Sequence, residues 1–224
     1  DGFDRSFRPS NDDYTLADRW IVSRFEQTRQ SVKDNLDRFE LGEAARLIYE
    51  FLWSEYCDWY IELTKARLYN RDDERARHTA LYVLSTVLES TLRLLHPFMP
   101  FLTEEIWQKL PHEGDSIMVS PFPKSEHTID EQSIRSMETI METIKTIRNL
   151  RAEVGVQPRQ KSEVRLKLSD GSLLETFRAN ADYLKLASAE PVIFMSAEDA
   201  KPEHALSGVA VGVEIYLPLA GLID

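Results

Sequence analysis

The segment Leu95-His-Pro-Phe-Met-Pro-Phe-Leu-Thr-Glu-Glu-Ile-Trp107 constrains this chain more than any other stretch. Pro97 cannot continue a helix and steers His96 away from helical geometry, so the apolar pattern before it ends there. Pro100 suits a first helical turn. Thr103 is a cap candidate, with Glu104 and Glu105 where a helix start favours acids. Phe98, Met99 and Phe101 are expected to plug a core, and His96 to serve the terminal carbonyls of the preceding helix. The segment is a helix-to-helix corner.

Helical periodicity flanks it on both sides. Leu16, Trp20, Ile21, Phe25, Val32, Leu36 and Phe39 mark a first long helix, with a break at Gly42. Ala44, Ile48, Phe51, Leu52, Trp59 and Leu63 mark a second, ending near Asn70. Leu81, Leu84, Val87, Leu88 and Leu92 carry a third to His96, and Ile106, Trp107 and Leu110 a short fourth. After an irregular connection over 111–129, in which Ile117-Met-Val could be extended, a fifth helix runs from Ile134 towards Val154. Gly155 can end it. Five such helices predict a bundle.

Beyond Pro158 the period changes. Val164, Leu166 and Leu168 alternate with Arg165 and Lys167 as a half-buried strand. A short helix through Leu173 and Phe177 follows, then a strand over 191–195. Val209 to Leu217 alternates as one further strand, weakened by Gly208 and Gly212. The expected fold is therefore mainly α, a helical bundle followed by a small α+β subdomain. The expected organisation is a linker over 1–13, the bundle over 14–156 and the α+β part over 157–224.

With 224 residues and 42% hydrophobic content, the chain can bury a sizeable core. No apolar run is long enough to cross a membrane. The chain opens at Asp1 with no methionine and no signal peptide, and its first ten residues look solvated, so a fragment of something longer is expected. Cys57 is the single cysteine, which excludes an internal disulfide and fits a reducing, cytoplasmic compartment.

A net charge of −11 argues at first against a nucleic-acid partner. Residues 145–167 depart from that average. Lys145, Arg148, Arg151, Arg159, Lys161, Arg165 and Lys167 stand there against Glu153 and Glu163, a local +5. Such a strip can hold a phosphate backbone through few contacts, although charge alone fits a solvated loop at least as well.

Catalytic signatures are missing. There is no G-x-x-x-x-G-K loop, no G-x-S-x-G and no H-E-x-x-H, and the five histidines are dispersed. The acid pairs Asp12-Asp13, Asp72-Asp73 and Glu104-Glu105 lie at turns or helix starts, where capping explains them. Taken alone, the chain carries no enzyme chemistry. The aromatic run Trp53-Ser-Glu-Tyr-Cys-Asp-Trp-Tyr60 reads first as packing on two helix faces, and second as a platform for an unpaired base. On the first helix, Arg19 and Arg24 flank the apolar stripe and can be solvated surface. On the fifth, Lys145, Arg148 and Arg151 advance by three residues and share a slowly turning face opposite Ile140, Ile144 and Ile147.

Several segments together resemble the anticodon-binding helical domain of the valyl/isoleucyl/leucyl group of class I aminoacyl-tRNA synthetases. They are Leu16-Ala-Asp-Arg-Trp-Ile-Val-Ser-Arg24, Trp53 to Glu62, the corner from His96 to Trp107, and Ile147-Arg-Asn-Leu-Arg-Ala-Glu153. Leu217-Pro-Leu-Ala-Gly-Leu-Ile-Asp224 is similar to the phrase that leads into a C-terminal coiled coil in the valyl branch. Met99, the fifth-helix motif and that closing phrase make the valyl branch the best match, with the isoleucyl and leucyl branches as alternatives. The resemblance implies a parent that joins valine to tRNA(Val) using ATP with Mg and edits against threonine. The family's His-Ile-Gly-His-like and Lys-Met-Ser-Lys-Ser-like signatures are absent, as are the editing domain and the coiled coil. The fragment is then expected to need no cofactor, to be monomeric, and to bind the anticodon stem-loop beside the catalytic and editing domains of the parent. On residues and resemblance together, the expected contacts are Arg19 and Arg24 from the first helix and Lys145, Arg148 and Arg151 from the fifth. Asn149 is a candidate for a base-edge hydrogen bond and Trp20 for stacking. The competing reading is a purely structural or protein-interaction helical module.

Overall fold

The computed structural model describes residues 6–196, 198–220 and 222. The chain forms two compact units, Asp1–Ile134 and Arg135–Asp224. The architecture is mainly α, with a helical bundle first and a small α+β part after it.

In the first unit, α1 (Leu16–Asp37) starts with a capping box: Thr15 Oγ1 accepts from Asp18 N, and Asp18 Oδ2 accepts from Thr15 N at 2.9 Å. The chain reverses over 38–40, with Phe39 at φ 61°. The break therefore precedes Gly42, which lies in the first turn of α2 (Leu41–Glu50). From there the chain stays helical to Tyr69, through a π-helical stretch Phe51–Tyr60 and then α3 (Ile61–Tyr69). Asp73 caps α4 (Glu74–Leu95) by accepting from Ala76 N. Trp20, Ile21, Phe25 and Val32 of α1 are buried, as are Ile48, Phe51, Tyr60, Val83 and Val87. The residues expected as a linker are tied down where described: Arg75 pairs with Asp13, and Phe7 lies against His78 at 5.6 Å. Residues 1–5 of that expected linker lie outside the described residues.

The corner is built differently in detail from the sequence expectation. Pro100 does open α5 (Pro100–Trp107), but Met99 occupies the cap position. Thr103 is inside the helix and fully buried, donating its hydroxyl back to the Met99 carbonyl and meeting His96 Nδ1 at 2.8 Å. The corner is thus closed by a polar clasp. Phe101 and Met99 do not plug a core; Phe101 is 91% exposed. Core packing here comes from Leu92, Trp107 and Ile117, and Ile117–Val119 is a 3-10 turn, not an extended piece.

The unit boundary falls inside α6 (Glu131–Glu153), whereas the sequence reading carries the bundle to 156. In the second unit Met137, Ile140, Ile144, Ile147 and Leu150 are buried along α6. Gly155, at φ 68°, ends the helix, and Val156 N donates to the Arg151 carbonyl at 3.0 Å. β1 (Ser162–Leu168) follows, then α7 (Gly171–Ala179), a 3-10 segment Ala181–Ala187 and β2 (Ala189–Met195). The strand expected over 209–217 is a hairpin, β3 (Ala205–Ala210) and β4 (Val213–Pro218), turning at Val211–Gly212. The alternation runs unbroken through the turn, which hides it. Strand order is β2-β1-β4-β3, with β1 and β2 parallel and the other pairs antiparallel.

Candidate nucleic-acid interface

Three α1 residues carry the sequence expectation, and the structure gives them three different fates. Trp20 is 1% exposed. It has no open face on which a base could stack, because the apolar stripe of α1 takes it into the core. Arg24 lies half-buried and donates Nε and Nη2 to the two Glu55 oxygens at 2.7 Å each, and Nη1 to Gln27. A bidentate, partly desolvated pair is far harder to exchange for a phosphate than an exposed one.

Arg19 is exposed and donates to the Asn11 carbonyl at 3.1 Å. It borders a cavity of about 280 Å³ together with Tyr14, Val22, Ser23, His127 and Asp130. Tyr14 and His127 stand edge-on at 6.4 Å. Burial, aided by nearby negative groups, pushes the Tyr14 phenol up to about 12. Asp130 is held below the usual carboxylate range by the Ser133 hydroxyl and backbone N–H, with a smaller contribution from the Arg19 charge. The cavity therefore offers a fork of donors, a charged acceptor and two aromatic rings. Of this set, sequence reading found Arg19 alone. Tyr14 comes from the turn before α1, and His127 and Asp130 from a loop about 110 residues further along the chain, so no spacing announces them.

In the second unit α6 also divides its candidates. Lys145, Arg148 and Asn149 are exposed. Lys145 makes an exposed pair with Glu142 at 3.4 Å. Arg148 donates Nη2 to the Leu186 carbonyl at 2.9 Å. Arg151, expected to contact RNA, is 4% exposed and turned inward. It donates to the carbonyls of Gln157 at 2.9 Å and Gln160 at 2.6 Å, and to Ser162 Oγ. Burial pulls its pKa down. Arg151 is a strut for the loop after α6, and its guanidinium is not presented to a ligand.

The aromatic run splits likewise. Tyr56, Trp59 and Tyr60 are buried, while Trp53 is 57% exposed and stacked on Tyr49 at 6.4 Å and 3°. In the sequence that pair is flanked by Glu43, Glu50, Glu55 and Asp58 against Arg46, an acidic stretch that repels a phosphate backbone.

A helical bundle with arginines on exposed helix faces, followed by a small mixed sheet, is of the class of helical binding domains. The chain belongs to the family described as the anticodon-binding domain of tRNA ligase, whose pattern it matches over residues 18–166. Among individual relatives, it is 50% identical over 215 residues to the valine–tRNA ligase of Carboxydothermus hydrogenoformans, covering 95% of this chain. It is 44% identical over 211 residues to that of Enterococcus faecalis and 40% identical to that of Bacillus anthracis, each covering 94% of this chain. The chain spans 24% of the length of each of these relatives.

Proposed function

We propose that this chain is the anticodon-binding part of a valine–tRNA ligase and that it holds the anticodon stem-loop of tRNA(Val). The observation that carries this reading is the match to the anticodon-binding family over most of the chain, joined to valine–tRNA ligase relatives across nearly all of it. We infer a division of labour. Lys145 and Arg148 on the exposed side of α6 suit phosphate contacts, which position an RNA without reading it. Asn149, exposed beside them, can pair with a base edge. The Arg19 cavity has the room, the donors and the acceptor to take one unstacked base, which is how single-stranded RNA is read.

Valine ligation with Mg-ATP and editing against threonine belong to the parent protein and its other domains. No catalytic motif for them stands in this chain. We infer a monomer acting in the cytoplasm; no helix among the described residues is long and apolar enough to cross a membrane.

The test is a titration of the chain with an isolated valine anticodon stem-loop, alongside loops with altered anticodon bases. Tight binding that weakens when the bases are changed is the expected result. Binding that ignores the bases would reduce the domain to a backbone clamp. No binding would overturn the reading in favour of a purely structural module.

A further inference from the structure

A guanidinium buried without an acid is costly, because the interior offers it no counter-charge. Arg151 is such a group. Among the described residues its partners are two carbonyls and a hydroxyl, all neutral. The positive charge therefore lies against the loop Gln157–Lys161, and among the described residues no carboxylate pairs with it.

That loop is held from two directions. Arg151 grips it from α6, while Ser188 Oγ donates to the Pro158 carbonyl at 2.7 Å and Ser162 N donates to the Ser188 carbonyl at 3.0 Å. Parallel pairing of β1 with β2 sets Ser162 beside Ala189. The 3-10 segment before β2 is thereby drawn alongside the loop, and Arg148 fastens it through Leu186. Four cations consequently share one end of the unit: Arg148, Arg159, Lys161 and Lys185. Arg159 is exposed and makes no ion pair among the described residues. Lys161 pairs with Glu190 at 2.9 Å and Lys185 with Asp182 at 2.6 Å, and all four of those side chains are well exposed. Exposed pairs of this kind contribute little and yield readily to a better anion.

We propose that the Arg151-held loop, with Arg159 and Lys161 on it and Lys185 beside it, is a clamp for the phosphate backbone of RNA. The RNA phosphate supplies a counter-charge for buried Arg151, whose partners among the described residues are neutral. Arg151 is in this account a positioning residue: it fixes the loop and adds field, without touching the ligand. The proposal rests on the RNA-binding reading above and assigns to it a surface outside the Arg19 cavity.

The probe is the valine anticodon stem-loop, titrated against the chain at several salt concentrations. Each phosphate contact contributes roughly 0.7 to 0.9 to the slope of log affinity against log salt. Arg159→Gln with Lys161→Gln should weaken binding about tenfold or more near physiological salt and shallow that slope by about 1.4 to 1.8. Lys185→Gln should shallow it by a further step of about 0.7 to 0.9. These side chains are exposed, so the thermal transition should not move, which separates the effect from misfolding. Arg151→Gln should weaken binding too, with local loosening of 157–161 visible in amide exchange. Binding by the double variant with unchanged affinity and slope would overturn the clamp while leaving the RNA reading intact. Failure of the unaltered chain to bind the stem-loop would overturn both.

Discussion

Arg67 on α3 closes on Asp18 of α1 with two parallel hydrogen bonds, Nη1 to Oδ2 at 2.7 Å and Nη2 to Oδ1 at 2.6 Å. Asp18 is fully buried, caps its own helix through Thr15, and accepts from the Tyr60 hydroxyl at 2.5 Å. One carboxylate thus fixes the start of α1 to two points of the helical run that ends in α3. The Tyr60 phenol is pushed well up, first by burial and then by the Asp18 charge, so it stays a donor across the working range of pH.

Removing that acid should therefore cost more than a cap. Asp18→Ala takes a bidentate carboxylate from Arg67 and an acceptor from the Tyr60 hydroxyl together, and a loss of about 3 kcal/mol is expected. Urea unfolding measures it through the midpoint at unchanged slope. The variant pairing Asp18→Leu with Arg67→Met should be less destabilised than Asp18→Ala, since both charges leave the buried site together. A double variant worse than the single would show that the ion pair itself is net stabilising.

Arg24 should behave as a structural residue. Its bidentate pair with Glu55 is partly shielded, so Arg24→Ala is expected to cost about 1 kcal/mol of stability. The salt slope of stem-loop binding should not change, because no phosphate contact is lost. A slope shallower by about 0.7 or more would return Arg24 to the interface.

Arg24 and Arg151 show where sequence reading loses its hold. Three residues along an α-helix turn 300°, so each step of the series Lys145, Arg148, Arg151 lags by about 60°. Two steps carry Arg151 about 120° round, into the sector of the buried Ile144 and Ile147. The spacing that suggested a shared face contains its own drift. The α1 stripe was legible in the same terms, and it placed Trp20 inside. What periodicity could not give was any partner distant in sequence. Glu55 opposite Arg24, His127 and Asp130 beside Arg19, and Lys185 beside Lys161 are neighbours only through tertiary pairing. The sheet hairpin was missed because Val209 to Leu217 keeps its alternation across the turn, and the corner cap because Met99 holds the position that propensity assigns to Thr103.

Asp130 provides a pH signature. Its side chain accepts from Ser133 N at 2.9 Å and from the Ser133 hydroxyl at 2.6 Å, which caps the start of α6 and holds its pKa down. A carboxylate lowered in the folded state contributes stability above its unfolded value, here near 3.8, and loses it as pH falls through the lower native value. Asp130→Ala should cost about 1 kcal/mol at neutral pH. Asp130→Asn keeps a capping oxygen but has no proton to take up. Its thermal midpoint should therefore fall less steeply than that of the unaltered chain from about pH 5 into the acid range. Parallel acid limbs in the two proteins would refute the assignment.

Gly208 tests the association of α6 with the sheet. A Cβ built there would stand 2.7 Å from Thr146 Cγ2 and 3.3 Å from Leu150 Cδ1. Glycine at this point of β3 is what lets the helix approach, which is why a residue that weakens a strand by propensity occupies it. Thr146 cannot easily yield: its β-branched side chain has few rotamers, and its hydroxyl donates to the Glu142 carbonyl at 2.9 Å. Gly208→Ala is therefore expected to destabilise the second unit by about 1 to 3 kcal/mol through overpacking. Adding Thr146→Ala removes the nearest clashing atom and should recover part of that loss. A double-mutant cycle by urea unfolding reads the coupling directly. Because Arg148 and Arg151 ride on the same helix, the single variant should also weaken stem-loop binding, and the double variant should restore it. Additive effects of the two substitutions would mean that α6 and β3 do not meet at Gly208.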